Sequence, residues 1–213
     1  MDFLNAIILI SNFIIVPAIT YGSQLALGAI GVTLIYGVLR FANFAYGDLM
    51  AFATMIVILT TWYLQSIGIS LGFLPTALLA LPIGILVTIG ISLFFDKTVF
   101  EYYRNKKANS VTFIVVSLGL MFVLNAIVRI IIGPGNVNFM DGHKFIMKAK
   151  EFKDLTGLNE GLAIKSTQVI TLITTIITCS LLFYFLNKTK TGKSMRAYSD
   201  NEDLALLSGI DPK

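Results

Sequence analysis

Apolar residues run along this chain in long stretches separated by short polar breaks. The runs cover roughly 3–20, 22–41, 47–66, 73–95, 110–132 and 167–187. A helix needs about 20 predominantly apolar residues to cross a hydrocarbon core about 30 Å thick, and the last five runs meet that length as spans. The first run carries Asn5, Ser11, Asn12 and Pro17, and is compatible either with crossing or with lying in the interface. It has no basic head and no small-residue cleavage site, so it reads as mature structure rather than a removed signal. Strict apolar–polar alternation, the mark of a membrane barrel, is absent. Pro75 and Pro82 fall in the fourth run, where neighbouring helices can satisfy the freed backbone groups. The pattern predicts an all-α, polytopic transmembrane helix bundle forming one domain over residues 1–213.

The second run has an internal pattern of its own. Gly22, Ala26, Ala29, Thr33 and Gly37 recur at spacings of three and four and make one narrow face of small residues. Such faces let helix backbones approach closely, which predicts a helix packed in the middle of the bundle.

Composition agrees with a membrane protein: of 213 residues, 56% are hydrophobic and 13% charged, with a mean hydropathy of +0.82. The net charge of +4 sits in segments flanking the apolar runs and not on an aromatic-basic surface, so it points to membrane orientation and not to nucleic acid. Lys97, Arg104, Lys106 and Lys107 crowd the loop 97–109 around a single acid, Glu101. Lys188, Lys190, Lys193 and Arg196 crowd 188–196 with no acid at all. Both segments are therefore expected in the cytoplasm. The segment 133–166, in which five lysines are offset by Asp141, Glu151, Asp154 and Glu160, is then a small external loop. Arg129 lies close to the outer end of its span and is expected to snorkel to the interface.

Chemistry-bearing residues are few. Cys179 is the single cysteine and lies inside an apolar run, where it reads as a small buried hydrophobe with no disulfide and no metal role. His143 is the single histidine and has no second histidine or cysteine near it, so the convergent groups an intramembrane enzyme needs are not in evidence. "GPGN" at 133–136 lacks the lysine and Ser/Thr of a phosphate loop. A non-catalytic transport or assembly role remains, and a channel or structural subunit is the alternative to a driven transporter.

Two stretches carry the functional candidates. In "RFANFAYGDL", residues 40–49, Asp48 is the only acid between Asp2 and Asp96 and opens the third run. Asp48 in a first helical turn complements the helix dipole, and Asn43 can cap that turn. Capping alone explains both residues; the alternative is that Asn43, Tyr46 and Asp48 border an aqueous pathway at an interrupted helix. In the tail, Asp200 is a candidate cap, Glu202 and Asp203 fill a first turn, and Gly209 with Pro212 stops a helix of about two turns. Leu204 and Leu207 share a face that needs covering, by the membrane domain or by a cytosolic partner.

Taken together, "TYGSQLALGAIGVTLIYGVLRFANFAYGDLMAFA", "TFIVVSLGLMFVLNAIVRIIIGPG" and "GKSMRAYSDNEDLALLSGID" resemble the permease subunits of bacterial branched-chain amino acid ABC importers, over essentially the whole chain. The resemblance implies a multi-pass inner-membrane protein that is not itself an enzyme and holds no cofactor or metal. It implies a second permease subunit, two cytoplasmic ATPase subunits, a periplasmic amino-acid-binding protein and membrane lipid as partners, and further spans beyond Lys213. Asn43, Tyr46 and Asp48 would border the substrate pathway. Gly192, Arg196, Leu204, Ala205, Leu207 and Gly209, within a cytoplasmic coupling segment at 188–213, would meet the ATPase. Tyr46 stands where the family's motif has histidine, so a polar contact carries over there but imidazole titration does not.

The charge pattern makes a topological prediction. Cysteines introduced at Lys106 and Lys193 should label only from the cytoplasmic side and one at Lys148 only from outside; labelling of 106 and 148 from the same side would contradict it.

Overall fold

The computed structural model describes residues 2–72, 74–135, 141–142 and 144–209. Its elements are almost all helical: α1 (Asp2–Ile10), a π-helical turn (Ser11–Ile15), α2 (Val16–Leu39), α3 (Ala45–Ser66), α4 (Ala77–Phe95), a second π-helical turn (Asp96–Phe100), α5 (Glu101–Asn105), α6 (Ser110–Ile132), α7 (Ala149–Thr156), α8 (Ser166–Lys188), α9 (Lys190–Asp200) and α10 (Glu202–Leu207). Two short antiparallel strands, β1 (Phe145–Met147) and β2 (Ile164–Lys165), form a ribbon beside α7. Among the described residues, five helical stretches are long and apolar enough to cross a membrane: Phe3–Leu39, Ala45–Ser66, Ala77–Asn105, Ser110–Ile132 and Ser166–Lys188. The protein is a multi-pass, all-α membrane protein.

Several boundaries differ from those the pattern predicts. The first two apolar runs are one continuous helical stretch. Pro17 has no N–H to give and its ring crowds the carbonyl four residues back. The chain accommodates it by widening into the π-turn, where the Val16 N–H donates to the Ser11 carbonyl, and the helix is not broken. The segment 97–105, expected as loop, continues the α4 helix through a second π-turn, and Arg104 reaches back to Asp96 in a bidentate pair at 2.7 Å. No glycine or proline interrupts the sequence between Gly90 and Asn105. Pro75 lies outside α4, in the turn before it, while Pro82 is inside. The basic block after residue 188 is helical as well: Thr189 caps α9 by accepting from the Gly192 N–H at 3.0 Å.

The chain divides into two compact units, one of residues 1–39 with 144–213 and one of residues 40–143. In the first unit α1 and α2 run beside α8 in the same direction. At one end the Asn5 and Asn12 side chains accept from the Glu160 and Ala163 N–H groups, each at 3.4 Å. At the other, Gly37 lies so close to Ser199 of α9 that a Cβ there would stand 3.2 Å from its hydroxyl. The small-residue face does not place α2 in an interior: none of its residues is buried, and a Cβ added at Gly22 or Gly28 would meet nothing. Within this unit α2 packs mainly on α8 and α9. Cys179 is half-buried and free.

In the second unit α3 packs on α4 and on α6. Met55 and Leu124 are fully buried between α3 and α6, joined by Ala45 and Phe52. Lipid is as apolar as these side chains, so the gain comes from close packing and satisfied polar groups and not from escape from water. Asp141 ties the far ends together, its two oxygens accepting from the Gln65 side chain at 2.9 Å and from the first N–H of α4, on Ala77, at 2.7 Å.

Gly192 is a very close backbone approach in the first unit: a methyl group there would collide with the Phe185 carbonyl and the Leu186 Cα. Because backbone and not a flexible side chain would have to move, Gly192→Ala should cost about 1–3 kcal/mol. A lowered thermal midpoint of the purified protein in detergent would register that cost.

Candidate functional site

The polar break between α2 and α3 sits against the side of another helix and not at its end. Arg40 takes a left-handed conformation, φ 58°, and turns the chain into a short unwound segment. Backbone groups released there need partners, because lipid supplies none. The Phe44 N–H donates to Ser117 Oγ at 3.2 Å, and the Ala45 N–H donates to Asn43 Oδ1 at 3.1 Å. Asn43 therefore does cap the turn, as its residue type allows. Ser117 is fully buried and lies seven residues into α6, about 10 Å from its start. Phe41, Phe100 and Phe113 close over the segment, with Phe41 and Phe113 stacked at 5.1 Å.

The same break aims Asp48 at α6. In the first turn of α3 its Oδ1 accepts from the Asn125 amide at 2.8 Å. With Phe44 on Ser117 and Asp48 on Asn125, α3 and α6 run in parallel, and a groove opens along their line of contact. Its cavity of 520 Å³ is bounded by Asp48, Thr54 and Met55 on one wall and Asn125, Arg129 and Ile132 on the other. Arg129 is in the last turn of α6 and is exposed. Tyr46 is half-buried beside the break but does not line this cavity. Of the three pathway candidates only Asp48 faces the groove; Asn43 is engaged with the backbone.

Sequence reasoning missed Ser117 and Asn125. A signal for them exists: Ser117, Asn125 and Arg129 recur at intervals of eight and four in an otherwise apolar helix, which puts them on one face. Among the described residues no three His, Cys, Asp or Glu side chains converge to hold a metal ion. His143 lies outside the described residues.

The second candidate site is the tail. Asn201, not Asp200, caps α10: its Oδ1 accepts from the Leu204 N–H at 3.1 Å. Asp200 is instead the last residue of α9, which extends the preceding helix up to the cap. Gly209 is left-handed at φ +80°, the conformation that ends a helix. Ala205, assigned to the coupling face with Leu204 and Leu207, is 4% exposed, whereas those two are 61% and 85% exposed. Arg196 is exposed on α9 and Gly192 is buried. The residues assigned to coupling thus fall into an inward set, Gly192 and Ala205, and an outward set, Arg196, Leu204 and Leu207. Pro212 lies outside the described residues.

Among curated proteins the chain is similar to the high-affinity branched-chain amino acid transport system permease protein LivH of Escherichia coli (strain K12), 25% identical over 198 residues, covering 91% of this chain and 60% of that protein. The corresponding LivH of Salmonella typhimurium is also 25% identical over 198 residues, with the same coverage of each chain. BraD, the permease protein of the same kind of system in Pseudomonas aeruginosa, is 24% identical over 208 residues, covering 92% of this chain and 62% of BraD. The chain thus spans about 60% of the length of these relatives. No solved structure gives a significant match. Residues 14–213, nearly the whole chain, match the family described as "Branched-chain amino acid transport system / permease component", and the protein belongs to that permease family.

Proposed function

We propose that the protein is a membrane-spanning permease subunit of an ABC importer that carries branched-chain or related amino acids across the bacterial inner membrane. Work would come from ATP hydrolysis in two cytoplasmic ATPase subunits, with a second permease subunit and a periplasmic binding protein completing the assembly. Family membership over residues 14–213 supports the permease role, and the branched-chain substrate class rests on the names of the relatives.

The observation that carries the driven mechanism is the build of the tail. A motor outside the membrane needs a rigid element that it can grip and that is itself fixed to membrane helices. α10 is fixed at both ends, by the Asn201 cap and the Gly209 stop, and it packs on α9, which in turn touches both α2 and α8. Leu204 and Leu207 leave an apolar face uncovered, suited to an apolar groove on an ATPase, with Arg196 available for polar contacts nearby. A passive channel has no need of such a lever.

Leu207→Asp places a charge in that contact without touching the packing of the unit. In vesicles containing the assembled transporter it should lower substrate-stimulated ATP hydrolysis and uptake roughly tenfold or more, with the protein's own yield unchanged. Normal assembly and normal stimulation in this variant would remove the coupling assignment, and uptake independent of ATP in the wild type would favour a channel.

A further inference from the structure

The groove between α3 and α6 holds two opposite charges that do not neutralise each other. Asp48 accepts from the neutral Asn125 amide at 2.8 Å, a bond that orients the carboxylate without cancelling its charge. No carboxylate of the described residues pairs with Arg129. Arg129 lies one turn beyond Asn125 on the same helix, about 6 Å further along the axis, and both Asp48 and Arg129 border the same 520 Å³ cavity. Ionisable groups in membrane segments are costly unless paired or solvated. Snorkelling would account for Arg129 alone; it does not account for a cation and an anion opening on one space.

We propose that this groove binds an amino acid as its zwitterion, with the ammonium group at Asp48, the carboxylate at Arg129 and the side chain along Met55, Ile58, Val128 and Ile132. The proposal rests on the reading of the protein as an amino acid permease. A simple cation would satisfy Asp48 and leave Arg129 alone, and a simple anion would do the reverse. A zwitterion meets both while bringing no net charge into the site. The guanidinium fork matches a carboxylate in two-point geometry. The hydrophobic residues that line the cavity offer nothing to a charged side chain, whose burial without a partner is unfavourable, and suit an aliphatic one. The volume lies in the range of small-molecule sites, roughly 300–1,000 Å³.

The test uses the complete transporter in lipid nanodiscs, with radiolabelled leucine as probe and two competitors: isoamylamine, which lacks the carboxylate, and 4-methylpentanoate, which lacks the ammonium group. Loss of one charge-assisted contact should cost roughly tenfold or more in affinity. Arg129→Gln should therefore weaken leucine and 4-methylpentanoate while sparing isoamylamine. Asp48→Asn, which keeps the shape and the bond from Asn125, should weaken leucine and isoamylamine while sparing 4-methylpentanoate. A merely structural role would weaken all three ligands alike, and that result, or wild-type affinities in both variants, overturns the site while leaving the permease reading intact. Wild-type protein that neither binds nor transports any aliphatic amino acid overturns the permease reading and the site together.

Discussion

An unwound segment in a membrane helix bundle has to find partners for its backbone, and the second unit is arranged around that demand. The break at 40–44 frees N–H groups in a region where lipid offers no acceptor. Ser117 takes one and Asn43 the other. Ser117 in turn donates to the Ile114 carbonyl at 2.8 Å, so the acceptor is itself held by α6. This fixes where α3 begins relative to α6, and the rest follows from that register: Met55 and Leu124 become mutual core, Asp48 meets Asn125, and a groove remains between the two helices, lined by Asp48, Asn125 and Arg129 together with aliphatic side chains.

Close approach supports the same arrangement elsewhere. Gly84 of α4 lies where a Cβ would collide with the Val57 side chain of α3, so the helix pair is set by the absence of one methyl group. Asp141 then caps α4 from a turn near the end of α3. In the first unit the corresponding constraint is Gly192 against the last turn of α8, which presses α9 onto the end of a membrane helix and leaves no slack between them.

Much of this was legible in the sequence for a physical reason: apolar length is close to a direct statement about spanning lipid, so the long apolar helices could be read directly, although the first two runs proved to be one continuous helical stretch. The residues that joined or extended helices were harder. Pro17 looks like a breaker, yet a π-turn absorbs it. The charged stretch 97–105 looks like a loop, yet its residues are ordinary helix formers with a bidentate Arg104–Asp96 pair across two turns. The small face of α2 was visible, but a face indicates only what can pack there. Which surface fills it depends on tertiary arrangement.

Only one side of the groove was legible in the sequence. Asp48 stood out because an acid beside two apolar runs is rare, whereas Asn125 and Ser117 are polar residues of a kind that membrane helices carry for many reasons. Only the parallel pairing of α3 with α6, a contact across 77 residues of sequence, turns them into partners of the break. The tail shows the opposite case. The apolar face of Leu204 and Leu207 follows from spacing alone, but whether Ala205 points outward or inward is decided by how α10 meets α9. Ala205 is buried, and α10 packs on α9. On the proposed coupling reading, an element packed in that way would pass displacement to α9, which touches α2 and α8. A helix attached only by its chain ends would swing and lose it.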